Sequence, residues 1–96
     1  MLDAVLVGKV IQEYREKKRL SQEVVSGLAD IGRTHLSAIE RGVRKTTLET
    51  FFKIADAPDI LPSELMRMIE KNAYEAQKIQ ISEANIIKQR KSPLND

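Results

Sequence analysis

The chain has 96 residues, of which 42% are hydrophobic, a size that suggests one compact domain with room for a short appended segment. It contains no cysteine, which excludes disulfide bonds, thiolate metal sites and cysteine nucleophiles. No apolar run reaches the roughly 20 residues that span a bilayer, and Asp3 stands where a signal peptide would be basic. We therefore expect a cytoplasmic protein that makes no contact with a membrane.

The net charge of +2 is unevenly distributed along the chain. Residues 1–47 hold nine Lys and Arg against six Asp and Glu, residues 48–70 hold two against five, and residues 71–96 hold five against three. A basic half beside an acidic segment fits a face that binds a polyanion, and it fits an ordinary solvated surface equally well.

Apolar residues recur at helical spacing along nearly the whole chain, and no segment has the pattern of a strand, so the predicted fold class is all-α. A first helix covers Val5 to Tyr14 and ends in a cluster of cations over residues 15–19, which complements the helix dipole. Ser21 is a suitable N-cap for a second helix. Residues 29–32 then predict a tight turn.

A third helix is predicted from about residue 32 to residue 41, and Gly42 supplies its C-terminal stop. After a short basic loop, the threonine pair at 46–47 offers an N-cap for a fourth helix. This helix holds both phenylalanines of the chain, Phe51 and Phe52. We therefore expect the fourth helix to be central to the core.

A fifth helix is predicted to begin near Pro62, because proline is well tolerated in a first turn. Residues 63–91 contain neither Gly nor Pro, so nothing local ends the helix within that span. Ser82 is also a suitable cap, which leaves a break in this helix open. The chain is thus divided into a domain of residues 1–70 and a C-terminal helical extension with a short tail over residues 71–96.

The most specific pattern is the 22-residue run of residues 21–42, SQEVVSGLADIGRTHLSAIERG. Its apolar residues fall where two short helices must interlock around the turn, and Ala29 is small, as a close helix crossing requires. The positions between them are polar and short. The interlocking set is Val25, Ala29, Ile31, Leu36 and Ile39.

Three segments carry a family resemblance in their order and spacing: LSQE at 20–23, IERG at 39–42 and TLETFFKIA at 47–55. On these segments the chain closely resembles the lambda-repressor/Cro family of helix-turn-helix regulators, also called Xre-type, over about residues 8–70. The resemblance implies a five-helix lambda-repressor-like domain that binds double-stranded DNA, here with an extended C-terminal helix. We expect no cofactor, and no metal site, because the chain has no cysteine and one histidine.

The resemblance also implies that the third helix enters the major groove with its N-terminal residues on base edges. Arg33 is the strongest candidate for reading sequence, because a guanidinium can pair with O6 and N7 of guanine; a phosphate contact or a solvated side chain are its alternatives. Thr34 can contact a thymine methyl or a base acceptor, and Ala38 can make only apolar contact. His35 reads a base, touches a phosphate or is simply exposed.

Other residues are expected to bind phosphates, which set the register of a protein on DNA rather than its sequence preference. In the family, the glutamine at the position of Gln22 donates to a phosphate and buttresses the recognition helix. The cations around Gly42 are expected to act as phosphate clamps. The predicted phosphate set is Gln22, Ser37, Arg41, Arg44 and Lys45.

Glu40 and its predicted partner Arg15 belong to the scaffold. In the family an arginine of the first helix pairs with this glutamate, and such a pair holds the first and third helices in register. Two residues depart from the family pattern. Asp30 stands where the turn usually has glycine, and aspartate tolerates a left-handed backbone better than most residues. Gly27 lies inside the second helix, where it either permits close approach of another backbone or serves no structural purpose.

The C-terminal stretch matches no family motif, although its apolar residues follow helical spacing. It either pairs with a second subunit or folds back on its own domain. We favour dimerisation, because two recognition helices about 34 Å apart match successive turns of the major groove. The dimer candidates are Ile69, Ala76, Ile79 and Ile86.

The leading prediction is a transcriptional regulator, most simply a repressor, that binds a two-fold symmetric operator as a homodimer. The residues do not separate a phage repressor, a restriction-modification controller, an antitoxin and a developmental switch. The alternative is a protein-interaction adaptor or antitoxin, in which the C-terminal helix binds a partner such as a toxin or another antagonist. An enzyme is the least expected, because the chain has neither an acid/base constellation in a plausible cleft nor a phosphate-cradling glycine loop.

Overall fold

The computed structural model describes residues 2–91, with side chains described for residues 2–78. Within that part of the chain the secondary structure consists of five α-helices and no strand. The predicted all-α class is therefore confirmed. The helices are α1 (Ala4–Lys17), α2 (Gln22–Ala29), α3 (Arg33–Glu40), α4 (Leu48–Asp56) and α5 (Pro62–Lys91).

Side chains cap the N-termini of α1, α2 and α4. Asp3, Ser21 and Thr47 each accept a hydrogen bond from a backbone N–H of the first turn, at 3.0–3.1 Å. Each cap satisfies a donor that the helix itself leaves without a partner. The cap at Ser21 agrees with the sequence prediction, and Thr47 is the member of the threonine pair that serves α4.

Two residues with positive φ bracket the recognition segment. Asp30, the C-cap of α2, adopts the left-handed conformation with φ 56°, which aspartate tolerates. Gly42 ends the segment with φ 76°, as the sequence predicted. A Cβ at Gly42 would also lie 2.5 Å from Cα of Val5, so glycine is required there both for its backbone and for space.

The core lies where the five helices meet, and every helix contributes to it. Four of the five residues predicted to interlock α2 and α3 are buried in it, and Ile31 packs against them half-buried. The buried apolar residues are Val10, Ile11, Val25, Ala29, Leu36, Ile39, Phe51, Ile54, Ala55, Ile60, Leu65 and Ile69.

The contact between α1 and the C-terminal end of α3 is unusually close at Gly8. A Cβ built there would collide with the carbonyl oxygen of Ile39 and would lie 2.6 Å from that of Glu40. Glycine at this position lets the backbone of α1 lie directly against α3. The sequence analysis did not identify Gly8, because its importance depends on a neighbour 31 residues away rather than on local spacing.

Of the two phenylalanines of α4, Phe51 is buried in the core, whereas Phe52 is 52% exposed. The short helix α4 has one buried face, and Phe51, Ile54 and Ala55 occupy it at spacings of three and four residues. Phe52 falls next to that face and is left on the outer flank of the helix.

The helix α5 is continuous over 30 residues, so the break considered at Ser82 does not occur. Ile69 is 1% exposed within the core, which corrects its assignment to a dimer surface: it shares a face with Leu65 and packs inside its own domain. Ala76 is exposed, whereas the side chains of Ile79 and Ile86 lie outside the described residues. No helix in the described part of the chain is long and apolar enough to cross a membrane.

The space around Gly27 is open, since a Cβ built there would meet nothing within 4 Å. The close backbone approach considered for this glycine is therefore absent. Gly27 is an exposed helix-interior glycine that another residue can replace without collision.

Candidate nucleic-acid interface

The outward face of α3 consists of short side chains and one cation. Ser37, Ala38 and Arg41 lie three, four and seven residues after Thr34, so the four share a face of the helix and its C-cap. Thr34 and Arg41 are exposed, and the two small residues between them are half-buried. The opposite face holds the three buried residues of α3. Because these side chains are short, another molecule can approach the backbone of α3 closely on this face.

The two remaining candidates for base reading lie at the margins of this face. Arg33 is exposed at the first position of α3, where its long side chain extends from the N-terminus of the helix. His35 is half-buried at the opposite margin, between Ala38 and the buried Ile39. The structure therefore brings Thr34 and Ala38 together on the face, with Arg33 beside its N-terminal end and His35 at its edge.

Three exposed cations follow α3 in a segment that we call the basic loop, residues 41–45. Arg41 donates from Nε to Oγ of Ser37 at 3.3 Å. Among the described side chains, none of the basic-loop cations forms an ion pair with a carboxylate, and neither does Arg33. The positive charge beside the α3 face is therefore not neutralised within this part of the protein, which suits a polyanionic ligand.

The pair of Arg15 and Glu40 predicted from the sequence is present, with bidentate geometry. Arg15 donates from Nε to Oε2 of Glu40 at 2.7 Å and from a terminal nitrogen to Oε1 at 3.0 Å. Its other terminal nitrogen donates to the carbonyl oxygen of Leu20 at 2.6 Å. The side chains are 11% and 1% exposed, respectively. The pair ties α1 to the C-terminal end of α3 in a largely water-free environment.

The carboxylate of Glu40 raises the pKa of the Arg15 guanidinium above its ordinary value, chiefly through their hydrogen bond, while burial opposes the rise. A raised pKa in the folded state means that the charge on Arg15, wherever it faces a carboxylate, stabilises the fold below the ordinary pKa of arginine. As the pH rises, this contribution is lost through the raised pKa. Arg15 is thus charged at every pH at which the domain works.

Gln22 joins the same network from the first turn of α2. Its Nε2 donates to Oε1 of Glu40 at 2.9 Å, so one buried carboxylate binds α1, α2 and α3 together. The buttress implied for this glutamine is therefore present as a direct hydrogen bond. The family resemblance alone placed Gln22 beside the recognition helix, and it did not identify Glu40 as the partner of Gln22.

A tight turn joins two short helices, and a buried carboxylate anchors the end of the second. The exposed face of this second helix lies beside cations that form no ion pair with the side chains of residues 2–78. Fold and surface together define a helix-turn-helix protein of the DNA-binding class.

Comparison with known proteins agrees with this class. A family model described as helix-turn-helix matches residues 11–65. Control protein C.MunI of Mycoplasma sp is 42% identical over 64 residues, which cover 67% of this chain and 86% of that protein. The chain belongs to the helix-turn-helix family, and the resemblance seen in the sequence is confirmed. Members of this family are DNA-binding regulators of transcription.

Two solved structures extend the comparison. The restriction-modification controller protein C.AhdI from Aeromonas hydrophila has a TM-score of 0.62 at 39% identity, covering 65% of this chain and 94% of that one. The controller protein C.Esp1396I, solved as a tetramer with its natural 35 base-pair operator, has a TM-score of 0.67 at 26% identity, covering 71% and 90%.

Proposed function

We propose that this protein is a restriction-modification controller, a transcriptional regulator that binds a two-fold symmetric operator as a homodimer and acts most simply as a repressor. The observation that carries the proposal is the exposed face of α3 beside the basic loop, whose cations form no ion pair within the described side chains. The controller type is supported by the similarity to C.MunI and C.AhdI. The proposal gives the protein no catalytic role and places it in the cytoplasm with its DNA.

Sequence is read from α3 in the major groove. Arg33 pairs with guanine from the N-terminus of the helix, and Thr34 and Ala38 contact bases from the centre of the face. The small side chains support this assignment, because they let the helix approach base edges closely. His35, half-buried at the margin, contacts the outer edge of the site.

Phosphates are bound around the rim of that face. The amide nitrogen of Gln22 carries two N–H groups; Glu40 takes one, which orients the other for a phosphate. Arg41, Arg44 and Lys45 bind the backbone farther along the groove, and Ser37 supports this set through its contact with Arg41.

The homodimer places two α3 helices about one turn of DNA apart. The operator complex of C.Esp1396I contains a tetramer, which supports assembly of such domains on DNA. We assign dimerisation to the extension of α5 beyond the core, where Ala76 is exposed. Ile79 and Ile86 remain candidates on the same helix.

The test compares binding to a duplex selected from a random pool with binding to an unselected duplex, at physiological salt. Arg33→Ala should lower the preference for the selected duplex by about 1–3 kcal/mol and leave binding to the unselected duplex nearly unchanged. Arg67→Ala, which removes an exposed arginine of α5, is the matched control and should change neither. Equal, weak binding of both duplexes by the unmodified protein would instead favour an adaptor that does not read sequence.

A further inference from the structure

The helices α1, α2, α3 and α4 all end in the same backbone motif. Each is followed by a residue in the left-handed conformation whose N–H donates to the carbonyl oxygen three residues back. The next N–H along the chain donates to the carbonyl oxygen five residues before its own. This is the Schellman motif, whose left-handed position is most often glycine. The four left-handed residues are Arg19, Asp30, Gly42 and Asp59, with φ of 59°, 56°, 76° and 59°.

Arg19 is the least suited of the four to this position. Glycine adopts the left-handed conformation freely, and aspartate tolerates it because its short polar side chain can hydrogen-bond locally. Arginine has neither property, so Arg19 holds its φ of 59° at a cost in stability. The motif that ends α1 would form more readily with glycine. A purpose outside the folding of α1 accounts for an arginine there.

The hydrogen bonds around Glu40 hold the backbone beside Arg19 close to the proposed DNA interface. Arg15 donates both to this carboxylate and, at 2.6 Å, to the carbonyl oxygen of Leu20, the next residue after Arg19. Gln22, which we assign to a phosphate, donates to the same carboxylate at 2.9 Å. The segment between α1 and α2 is thus held against the C-terminal end of α3, where the basic loop begins.

The two cations that precede Arg19 have interactions of their own. Lys17 lies in the last turn of α1, where its charge complements the helix dipole. Lys18 lies over the ring of Tyr14, with Nζ 5.5 Å from the ring centre. Arg19 is exposed, and it forms no ion pair with any side chain of residues 2–78. Its charge is therefore the one at this end of α1 that the fold leaves without a role.

We propose that Arg19 binds a DNA phosphate beside the one bound by Gln22, and so extends the phosphate contacts from the basic loop to the junction of α1 and α2. Such a contact fixes the position of the protein on DNA and reads no sequence. The inference rests on the proposed function, because it adds a residue to the same DNA interface. It gives a DNA-binding role to a cation that the sequence pattern connected only with the dipole of α1.

The test measures how the DNA affinity of the full chain depends on salt, with a selected and an unselected duplex. Arg19→Gly should reduce the slope of log K against log salt by about 0.9 per subunit, the value of one phosphate contact, and weaken binding roughly five-fold per subunit at about 0.15 M salt. Its preference for the selected duplex should stay unchanged. Arg19→Lys keeps a positive charge at the same backbone position and should retain the slope.

Two control variants separate the contact from the backbone change and from the lost charge. Asp59→Gly makes the same backbone change at the same φ after α4 and should leave the slope unchanged. Arg67→Ala removes one exposed cation from α5 and should also leave it unchanged. Arg19→Gly and Asp59→Gly should melt no lower than the unmodified protein, and up to a few degrees higher, because glycine relieves the left-handed backbone.

An unchanged slope for Arg19→Gly, or an equal reduction for Arg67→Ala, overturns the phosphate contact. A lower melting temperature of Arg19→Gly overturns the inference that arginine is costly at this position. Equal binding of the selected and unselected duplexes by the unmodified protein contradicts the proposed function instead, and the slopes measured on either duplex still decide the role of Arg19.

Discussion

Glu40 links the packing of the helices to the proposed DNA interface. Its carboxylate is 1% exposed and accepts from two nitrogens of Arg15 and from Nε2 of Gln22. Removing one partner from such a site leaves a buried charge without compensation, which costs more than the intact pair contributes. The same carboxylate orients the glutamine that we assign to a phosphate, so a change in the scaffold reaches the DNA contact.

Arg15→Leu should therefore lower the free energy of unfolding by about 3 kcal/mol, because Glu40 stays buried without its cation. The double variant Arg15→Leu with Glu40→Leu should recover part of that loss, since it removes the stranded charge as well. Urea denaturation at neutral pH measures both. Equal stability of the single variant and the unmodified protein would show that the pair is not buried as described.

Individual residues also show which contacts can be predicted from the sequence and which cannot. The pair of Arg15 and Glu40 followed from the family resemblance, and the turn at Asp30 followed from the backbone that aspartate tolerates. The bond between Gln22 and Glu40 did not, because it depends on how α2 and α3 cross. The exposure of Phe52 could not be predicted for a related reason: spacing identifies a set of apolar residues, but only the packed neighbours decide which of them are covered.

At the scale of elements, the close contact of α1 with α3 positions the recognition helix. Gly8 and Gly42 both lie at this contact, and a Cβ at either position would meet backbone or side-chain atoms of the other helix or its ends. Helix bounds near the caps were predicted to within a residue or so, because Ser21, Thr47 and Gly42 are local signals. The distance between α1 and α3 has no local signal in the sequence. The requirement for glycine at position 8 therefore follows only from the three-dimensional structure.

Gly8→Ala should destabilise the domain by about 1–3 kcal/mol, the usual cost of overpacking, because the added methyl group has to push α1 away from α3. Gly27→Ala is the matched control, since its Cβ meets nothing, and it should stabilise α2 by up to about 1 kcal/mol. Thermal or urea denaturation of the two variants measures the difference. Opposite signs are expected, and a Gly8→Ala protein as stable as the unmodified one would contradict the close contact.

We expect the extension of α5 beyond the core to serve dimerisation rather than folding. Its first two turns hold Leu65 and Ile69 in the core, whereas residues 70–78 are exposed apart from the half-buried Ala73. A chain that ends after Asn72 should keep its fold, with a melting temperature within a few degrees of the full chain, because residues 73–78 contain no buried side chain. It should lose dimers in sedimentation velocity. A truncated chain that dimerises as tightly as the full chain would move the interface to residues 2–72.

In the whole molecule, the uneven distribution of charge along the sequence corresponds to a basic surface around α3. The excess of cations in residues 1–47 includes Arg33 and the basic loop, which lie together around the outward face of α3. Composition alone left a polyanion-binding face and a solvated surface equally open. The absence of ion pairs at these cations within the described side chains favours the first interpretation.

Whether α3 reads sequence in a two-fold symmetric site is measured by selecting bound duplexes from a random pool with the full chain and sequencing them. We expect an enriched palindromic site with half-sites centred about 10 base pairs apart, and a preference at one position of each half-site that disappears with Arg33→Ala. Recovery of duplexes with no common sequence, or of a site without two-fold symmetry, would contradict this expectation.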